Sequence, residues 1–208
     1  MTDRRHWRAH VFVDLESTAK CFRLPLYTTP PSIMIPKLVN TIQNCAAAAL
    51  KQFPGEPKPF LVRIRLYHGW RHDLPSGRLT ELRAKFDQLI VTREFPRTIR
   101  PVTFQGELEY GDIPLADEER RPIWHTYRDG KQKMVDTAIA TDVVYGFTRG
   151  NFDVAVILGD DDDLLPPVIT AAAAGFPIML LRSAETTTDK ITDRRLDQIV
   201  FRTLETWS

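Results

Sequence analysis

Apolar side chains recur along this chain with two different spacings, one typical of strands and the other typical of helices. Residues 60–67 (FLVRIRLY) alternate apolar side chains with arginines, which predicts a strand. Residues 32–51 carry apolar side chains three and four positions apart, which predicts a helix that ends before a group of prolines. The same patterns predict strands over 10–14, 101–108, 154–158 and 177–181, and helices over 80–91, 130–147 and 191–206. A further helix is predicted to run through the alanines 171–174 and to end at Gly175.

Strands and helices alternate in this reading, and their order predicts an α/β fold with a mostly parallel central sheet flanked by helices. The 208 residues are enough for a single domain, 1–208, that buries its own core. Residues 109–128 are polar and contain prolines, which predicts a loop-like insertion. The sequence has no Gly-rich phosphate loop of either common pattern, which argues against a nucleotide kinase or a Rossmann dehydrogenase.

The predicted strand over 154–158 runs directly into four consecutive aspartates, Asp160 to Asp163, in the segment NFDVAVILGDDDDLL. An uninterrupted apolar strand is typical of the centre of a parallel sheet, and open α/β sheets bind ligands at the carboxyl ends of their strands. Carboxylates about 4 Å apart repel by roughly 4 kcal/mol at an effective dielectric constant near 20. The run therefore either extends into water and caps a helix, or surrounds a divalent cation.

Further carboxylates are expected at the same edge of the sheet. Asp14 ends the first predicted strand, and it lies beside Asp160 if the two strands are neighbours. Asp136 begins the preceding helix and can face this edge, and Asp162 follows Asp160 by two. Because Mg²⁺ and Mn²⁺ prefer several oxygen ligands, these four aspartates predict a site for one of these ions. Asp142 lies about 120° from Asp136 around a regular helix, so it is either a group that hydrogen-bonds to metal-bound water or an exposed side chain.

Basic residues are concentrated between 61 and 100, where nine basic residues accompany four acidic ones, although the whole chain has a net charge of only +1. A basic segment beside an acidic site suits a phosphodiester substrate. Arg63 and Arg65 share one face of their predicted strand, so an ion-paired or solvated strand face explains them equally well. Tyr67 and Trp70 could stack on bases, but core packing is the preferred interpretation of both. The candidates for phosphate contacts are Arg63, Arg65, Arg71, Arg78 and Lys131.

Other common sites find little support in the sequence. The histidines lack the spacing of a metalloprotease, and His68 and His72 are interpreted as surface residues. Cys21 and Cys45 are interpreted as buried thiols. Because the first ten residues are charged and no apolar stretch approaches about 18 residues, the protein is predicted to be cytoplasmic, with no membrane partner.

Residues 131–163 resemble the signature of NYN domains, which are PIN-like nucleases of the bacterial LabA-type group. The strand VFVDLES also matches the first motif of the family up to Asp14. The resemblance is strong over about 50 residues, and the order of elements is compatible along the whole chain. The matching positions after residue 130 are Lys131 or Lys133, Val135, Asp136, Asp142, Asp153, Gly159, Asp160 and Asp162.

The resemblance implies a PIN-like three-layer sandwich and a Mg²⁺- or Mn²⁺-dependent endoribonuclease. Its acidic pocket would be formed by Asp14, Asp136, Asp160 and Asp162, with RNA as the substrate. A homodimer or a protein partner is also compatible with the resemblance.

Three positions depart from the family pattern. Ser17 replaces an asparagine, Leu158 replaces a serine, and Asp163 replaces an aromatic residue. These departures favour an alternative, in which a weakly active or inactive NYN-like module binds RNA or a protein partner. An unrelated metal-dependent phosphohydrolase on a similar sheet is a third interpretation. The residues expected to contact metal-bound water rather than the ion are Ser17, Asp142, Asp161 and Asp163.

Overall fold

The computed structural model describes residues 6–53, 59–69, 78–92, 95–114, 120–122 and 134–182. Within these ranges the strands are β1 (Trp7–Asp14), β2 (Phe60–Tyr67), β3 (Phe95–Ile99), β4 (Val102–Tyr110), β5 (Asp112–Pro114), β6 (Arg120–Pro122), β7 (Val154–Leu158) and β8 (Ile178–Leu181). The helices are α1 (Leu15–Cys21), α2 (Pro31–Lys51), α3 (Arg78–Thr92), α4 (Val135–Thr148) and α5 (Leu165–Ala173), and a short 3₁₀ helix covers Asp162–Leu164.

Six strands form one sheet in the order β3-β4-β2-β1-β7-β8. Strand β1 pairs in parallel with both β2 and β7, and the pairs β2–β4 and β7–β8 are also parallel. Strand β3 runs antiparallel to β4 at one edge, so the sheet is mixed. Strands β5 and β6 form a separate two-stranded sheet. The predicted α/β class is confirmed, and the described sheet carries an antiparallel edge strand that the sequence patterns did not predict.

Helices cover both faces of this sheet. Successive side chains of a strand point to opposite faces, so the apolar residues of one strand contribute to both cores. Val11 and Val13 of β1 pack in a core with the apolar side of α2. Phe12, between them, packs on the opposite face with apolar residues of α4 and α5. All five residues of β7 are buried, as expected of a strand covered on both sides.

The patterns predicted the long, apolar elements better than the short or polar ones. The strands predicted over 60–67 and 154–158 have those bounds in the structure. Helix α1 was not predicted, and strands β5 and β6 lie inside the stretch 109–128 that was interpreted as loop. The helix predicted over 191–206 lies outside the described residues.

Two predictions about individual side chains need correction. His68 is buried rather than on the surface, and its imidazole Nε2 lies 3.0 Å from the hydroxyl of Tyr27. Burial lowers the pKa of His68 to about 3, so the ring is neutral at pH 7. Cys45 is buried as expected, whereas Cys21 is only half-buried.

Candidate metal centre

Strand pairing brings Asp14 and Asp160 to the same edge of the sheet. Strands β1 and β7 are neighbours, with Val13 opposite Leu158, so both chains leave the sheet side by side. The carboxylate of Asp14 accepts a hydrogen bond from the backbone N–H of Ser17 at 3.1 Å and thereby caps α1. The Ser17 hydroxyl in turn accepts a hydrogen bond from the backbone N–H of Asp160 at 2.9 Å. Ser17 therefore ties the two strand ends together.

Three other carboxylates lie close enough together to share one cation. One oxygen atom from each of Asp136, Asp161 and Asp163 lies within 4.8 Å of the other two. Asp136 is in the first turn of α4, and the other two belong to the turn that follows β7. Among the described residues, Asp14, Asp160 and Asp162 do not belong to this group. The group therefore contains Asp136 and two aspartates that were predicted to contact metal-bound water rather than the ion.

The environment of Asp136 is unfavourable for a carboxylate without a cation. Burial raises the pKa of Asp136, and the negative charges of Asp161 and Asp163 raise it further. Its Oδ1 atom is buried and has no hydrogen-bond partner within the described part of the chain. A divalent cation bound to the three carboxylates would offset both effects.

The spacing of the oxygens fits a small hard cation after a minor adjustment. An octahedral Mg²⁺ ion with ligands at about 2.1 Å places opposite oxygens about 4.2 Å apart. The carboxylate oxygens of the three aspartates lie within 4.8 Å of one another, which is slightly wider than this separation. Because the side chain of Asp163 is exposed, its carboxylate can turn inward.

Asp161 also has a structural role. Its Oδ1 accepts a hydrogen bond from the backbone N–H of Asp163 at 3.0 Å and caps the 3₁₀ helix. Helix capping and cation binding were the two predicted alternatives for the run of aspartates. Capping is confirmed, and it places Asp161 and Asp163 on the side of the turn where Asp136 lies.

Asp162 points to a different partner. A side-chain nitrogen of Arg182 donates a hydrogen bond to its Oδ1 and forms an ion pair with it. Arg182 directly follows β8 and is only 7% exposed. Arg182 was not predicted as a site residue, although a basic residue directly after the last predicted strand marks the same edge of the sheet.

Asp142 lies on the side of α4 that faces the sheet and is buried. The interpretation of Asp142 as an exposed side chain is therefore wrong. Its Oδ2 accepts hydrogen bonds from the Tyr67 hydroxyl at 2.7 Å and from Arg65 at 2.9 Å. Arg65 also donates to Glu109 at 2.8 Å. This network joins α4 to strands β2 and β4, and Asp142 stays outside the group formed by Asp136 and its two neighbours.

The basic residues proposed to bind phosphate are differently placed. Arg63 donates to Gln105 at 3.0 Å and lies 3.6 Å from a carboxylate oxygen of Glu109, so Arg63 and Arg65 form the ion-paired strand face. Tyr67 is fully buried, which confirms core packing. Arg78 begins α3, but its side chain lies outside the described part of the chain. Trp70, Arg71 and Lys131 lie outside the described residues.

The fold and these contacts define an α/β protein with a cluster of three aspartates at the edge of the sheet where its parallel strands end. Comparison of the chain with protein-family models, with curated proteins and with solved structures finds no match. Of the helices in the described ranges, none has both the length and the apolar character needed to span a membrane.

Proposed function

We propose that the protein is a Mg²⁺- or Mn²⁺-dependent nuclease that hydrolyses phosphodiester bonds of RNA. The observation that carries this proposal is the convergence of Asp136, Asp161 and Asp163, with an oxygen of Asp136 buried and without a hydrogen-bond partner among the described residues. Three carboxylates from two separate elements form the kind of oxygen-rich site that these ions prefer. The resemblance of residues 131–163 to NYN domains suggests RNA as the substrate.

One residue of the site is suited to hold the ion in a fixed position, and the other two leave the ion accessible from solvent. Asp136 is partly buried at the start of α4, so it offers a carboxylate in a fixed position. Asp161 and Asp163 are exposed, so a phosphate group can approach from solvent on their side. A bound Mg²⁺ or Mn²⁺ lowers the pKa of a coordinated water and stabilises negative charge in phosphoryl transfer. Asp14 and Asp160 remain candidates for the same site, because they lie at the same sheet edge.

In this proposal the fold is a PIN-like three-layer sandwich with a mostly parallel sheet. Four of the five strand pairs in the six-stranded sheet are parallel, which supports the proposal. The two cores on opposite faces of the sheet are also compatible with three layers.

The test is cleavage of labelled RNA and DNA by the wild type and by Asp136→Asn, with Mn²⁺, with Mg²⁺ or with EDTA. We expect the wild type to cut RNA only with a metal, and we expect the variant to lose both cleavage and Mn²⁺ binding measured by calorimetry. Asp153→Asn is the matched control, because Asp153 precedes the amino end of β7, at the opposite end of the strand from the site. It should cleave at the wild-type rate. A parallel assay of Asp160→Asn asks whether the strand-end carboxylates take part.

Other outcomes identify the alternatives. Cleavage by Asp136→Asn at the wild-type rate would contradict the proposal. Mn²⁺ binding without cleavage of any nucleic acid would favour a module that binds RNA or a protein partner. Hydrolysis of small phosphate esters alone would favour an unrelated phosphohydrolase.

A further inference from the structure

The four consecutive aspartates differ in their surroundings. Asp161 and Asp163 lie near Asp136, whereas Asp162, between them, forms an ion pair with Arg182. Asp161 is the extended residue that caps the 3₁₀ helix, whereas Asp162 and Asp163 are successive residues of that helix and are rotated by about 120° from each other. The carboxylate of Asp162 therefore meets the end of β8 while its neighbours meet α4.

Arg182 is built into the protein rather than lying on its surface. Its side chain is 9% exposed, and it directly follows β8, which pairs with β7. A buried guanidinium is unfavourable without a negative partner. Loss of the ion pair with Asp162 would therefore leave the buried charge of Arg182 uncompensated. Arg182 thus provides a fixed point to which the acidic turn is attached.

The turn is held at a second point by apolar packing. Leu164, the last residue of the 3₁₀ helix, is fully buried. A Cβ atom added at Gly159 would lie 2.5 Å from a methyl group of Leu164, so the turn packs closely over the end of β7. The side chains of Asp162 and Leu164 together orient the short segment that carries Asp161 and Asp163.

We propose that Asp162 and Arg182 are positioning residues, whose ion pair holds the turn so that Asp161 and Asp163 face Asp136. The proposal rests on the proposed function, because it assumes that these three aspartates bind the cation. It assigns Asp162 a partner other than the cation, although the resemblance to NYN domains implies that Asp162 is a ligand. It also assigns a role to Arg182, which the sequence motif does not include.

The test is a double-mutant cycle of Mn²⁺ affinity, measured by calorimetry on the full chain. The variants are Asp162→Ala, Arg182→Gln and the two changes combined. We expect each single change to weaken Mn²⁺ binding roughly 10- to 100-fold, as found for other residues that orient metal ligands. We expect the combined variant to bind no more weakly than the worse single variant, because both changes break the same contact.

A ligand role for Asp162 gives a different result. Removing Arg182 would then leave Mn²⁺ affinity unchanged or tighter, since a positive charge near the cation is lost, while Asp162→Ala would weaken it. That pattern would overturn the proposal, and so would additive losses or unchanged affinity in both single variants.

A conservative variant separates positioning from ligation. Asp162→Asn keeps an oxygen that can accept the hydrogen bond from Arg182, so we expect it to bind Mn²⁺ more tightly than Asp162→Ala. Equal losses in Asp162→Asn and Asp162→Ala would overturn the proposal. The electron paramagnetic resonance spectrum of bound Mn²⁺ in Asp162→Asn should match that of the wild type, because the ligands are unchanged.

The control is a second ion pair, between Arg8 of β1 and Asp153 at 3.2 Å. It lies beyond the amino end of β7, whose five residues span roughly 16 Å. Arg8→Gln and Asp153→Ala should leave Mn²⁺ affinity unchanged. Asp136→Asn is titrated in parallel. Lost binding in Asp136→Asn with unchanged binding in Arg182→Gln would overturn only the positioning role, whereas a wild type that binds no Mn²⁺ would overturn both proposals.

Discussion

Replacing Asp142 with alanine should destabilise the protein by about 3 kcal/mol. The Asp142 side chain is fully buried and accepts hydrogen bonds from Tyr67 at 2.7 Å and from Arg65 at 2.9 Å. A hydrogen bond to a charged group contributes about 1.5–3 kcal/mol, so two such bonds contribute about 3–6 kcal/mol. Arg65 keeps its ion pair with Glu109 in the variant, so its charge is not left alone and the lower end of this range applies.

The measurement is the free energy of unfolding in urea at pH 7 for the wild type, Asp142→Ala, Tyr67→Phe and the combined variant. Tyr67→Phe removes one of the two hydrogen bonds and should cost about 1.5 kcal/mol. The combined variant should be more stable than the sum of the two losses implies, because the bond between the two side chains is lost only once.

Arg8→Gln serves as the control for this prediction. It removes a partly exposed ion pair with Asp153 and keeps the hydrogen bond from the Arg8 backbone N–H, so the loss should stay below about 1 kcal/mol. A loss below about 1 kcal/mol for Asp142→Ala as well would refute the conclusion that this network anchors α4 to the sheet.

Two further predictions concern the cores on either side of the sheet. The pKa of His68 is about 3 in the folded protein and near 6.5 in the unfolded chain. At pH values between these two, unfolding is therefore accompanied by the uptake of one proton by His68. The free energy of unfolding should therefore fall by up to about 1.4 kcal/mol per pH unit below pH 6.5, and His68→Gln should show a smaller fall in the same urea titrations; equal slopes would contradict this. Gly146→Ala should destabilise the protein by about 1–3 kcal/mol, because the new Cβ would lie 2.1 Å from the ring of Phe152. Alanine normally stabilises a helix relative to glycine, so a more stable variant in thermal or urea unfolding would contradict the close packing.

The sequence predicted those elements whose apolar pattern is long and regular. Strand β7 is an unbroken run of apolar residues, and its burial on both faces follows from that run. The start of helix α2 was predicted to within one residue, because the apolar face of this helix repeats over many turns. Strand β3 has only five residues, includes a proline and is only half-buried on one face, so its pattern is too weak to predict a strand. Helix α1 is a single short segment whose start depends on the cap from Asp14.

The sheet edge that carries these aspartates was predictable, whereas the grouping of Asp136 with Asp161 and Asp163 was not. A parallel sheet places the residues that follow β1 and β7 at one edge, and the aspartates occupy those positions. The predicted ligands from the run were Asp160 and Asp162, whereas Asp161 and Asp163 lie near Asp136 in the structure. Which aspartates point inward depends on a 3₁₀ turn that only the packed structure reveals.

The order of the elements with a regular apolar pattern, the burial of β7 and the sheet edge that carries the aspartates were therefore determined by the sequence alone, because each depends on local periodicity and on general properties of parallel sheets. The partners of the aspartates were decided only by the tertiary structure. Arg182 lies 20 residues beyond Asp162 along the chain, and Asp142 finds Arg65 on a strand 77 residues earlier. Such contacts depend on the pairing of strands and on the rotation of α4 against the sheet, and no local pattern carries that information.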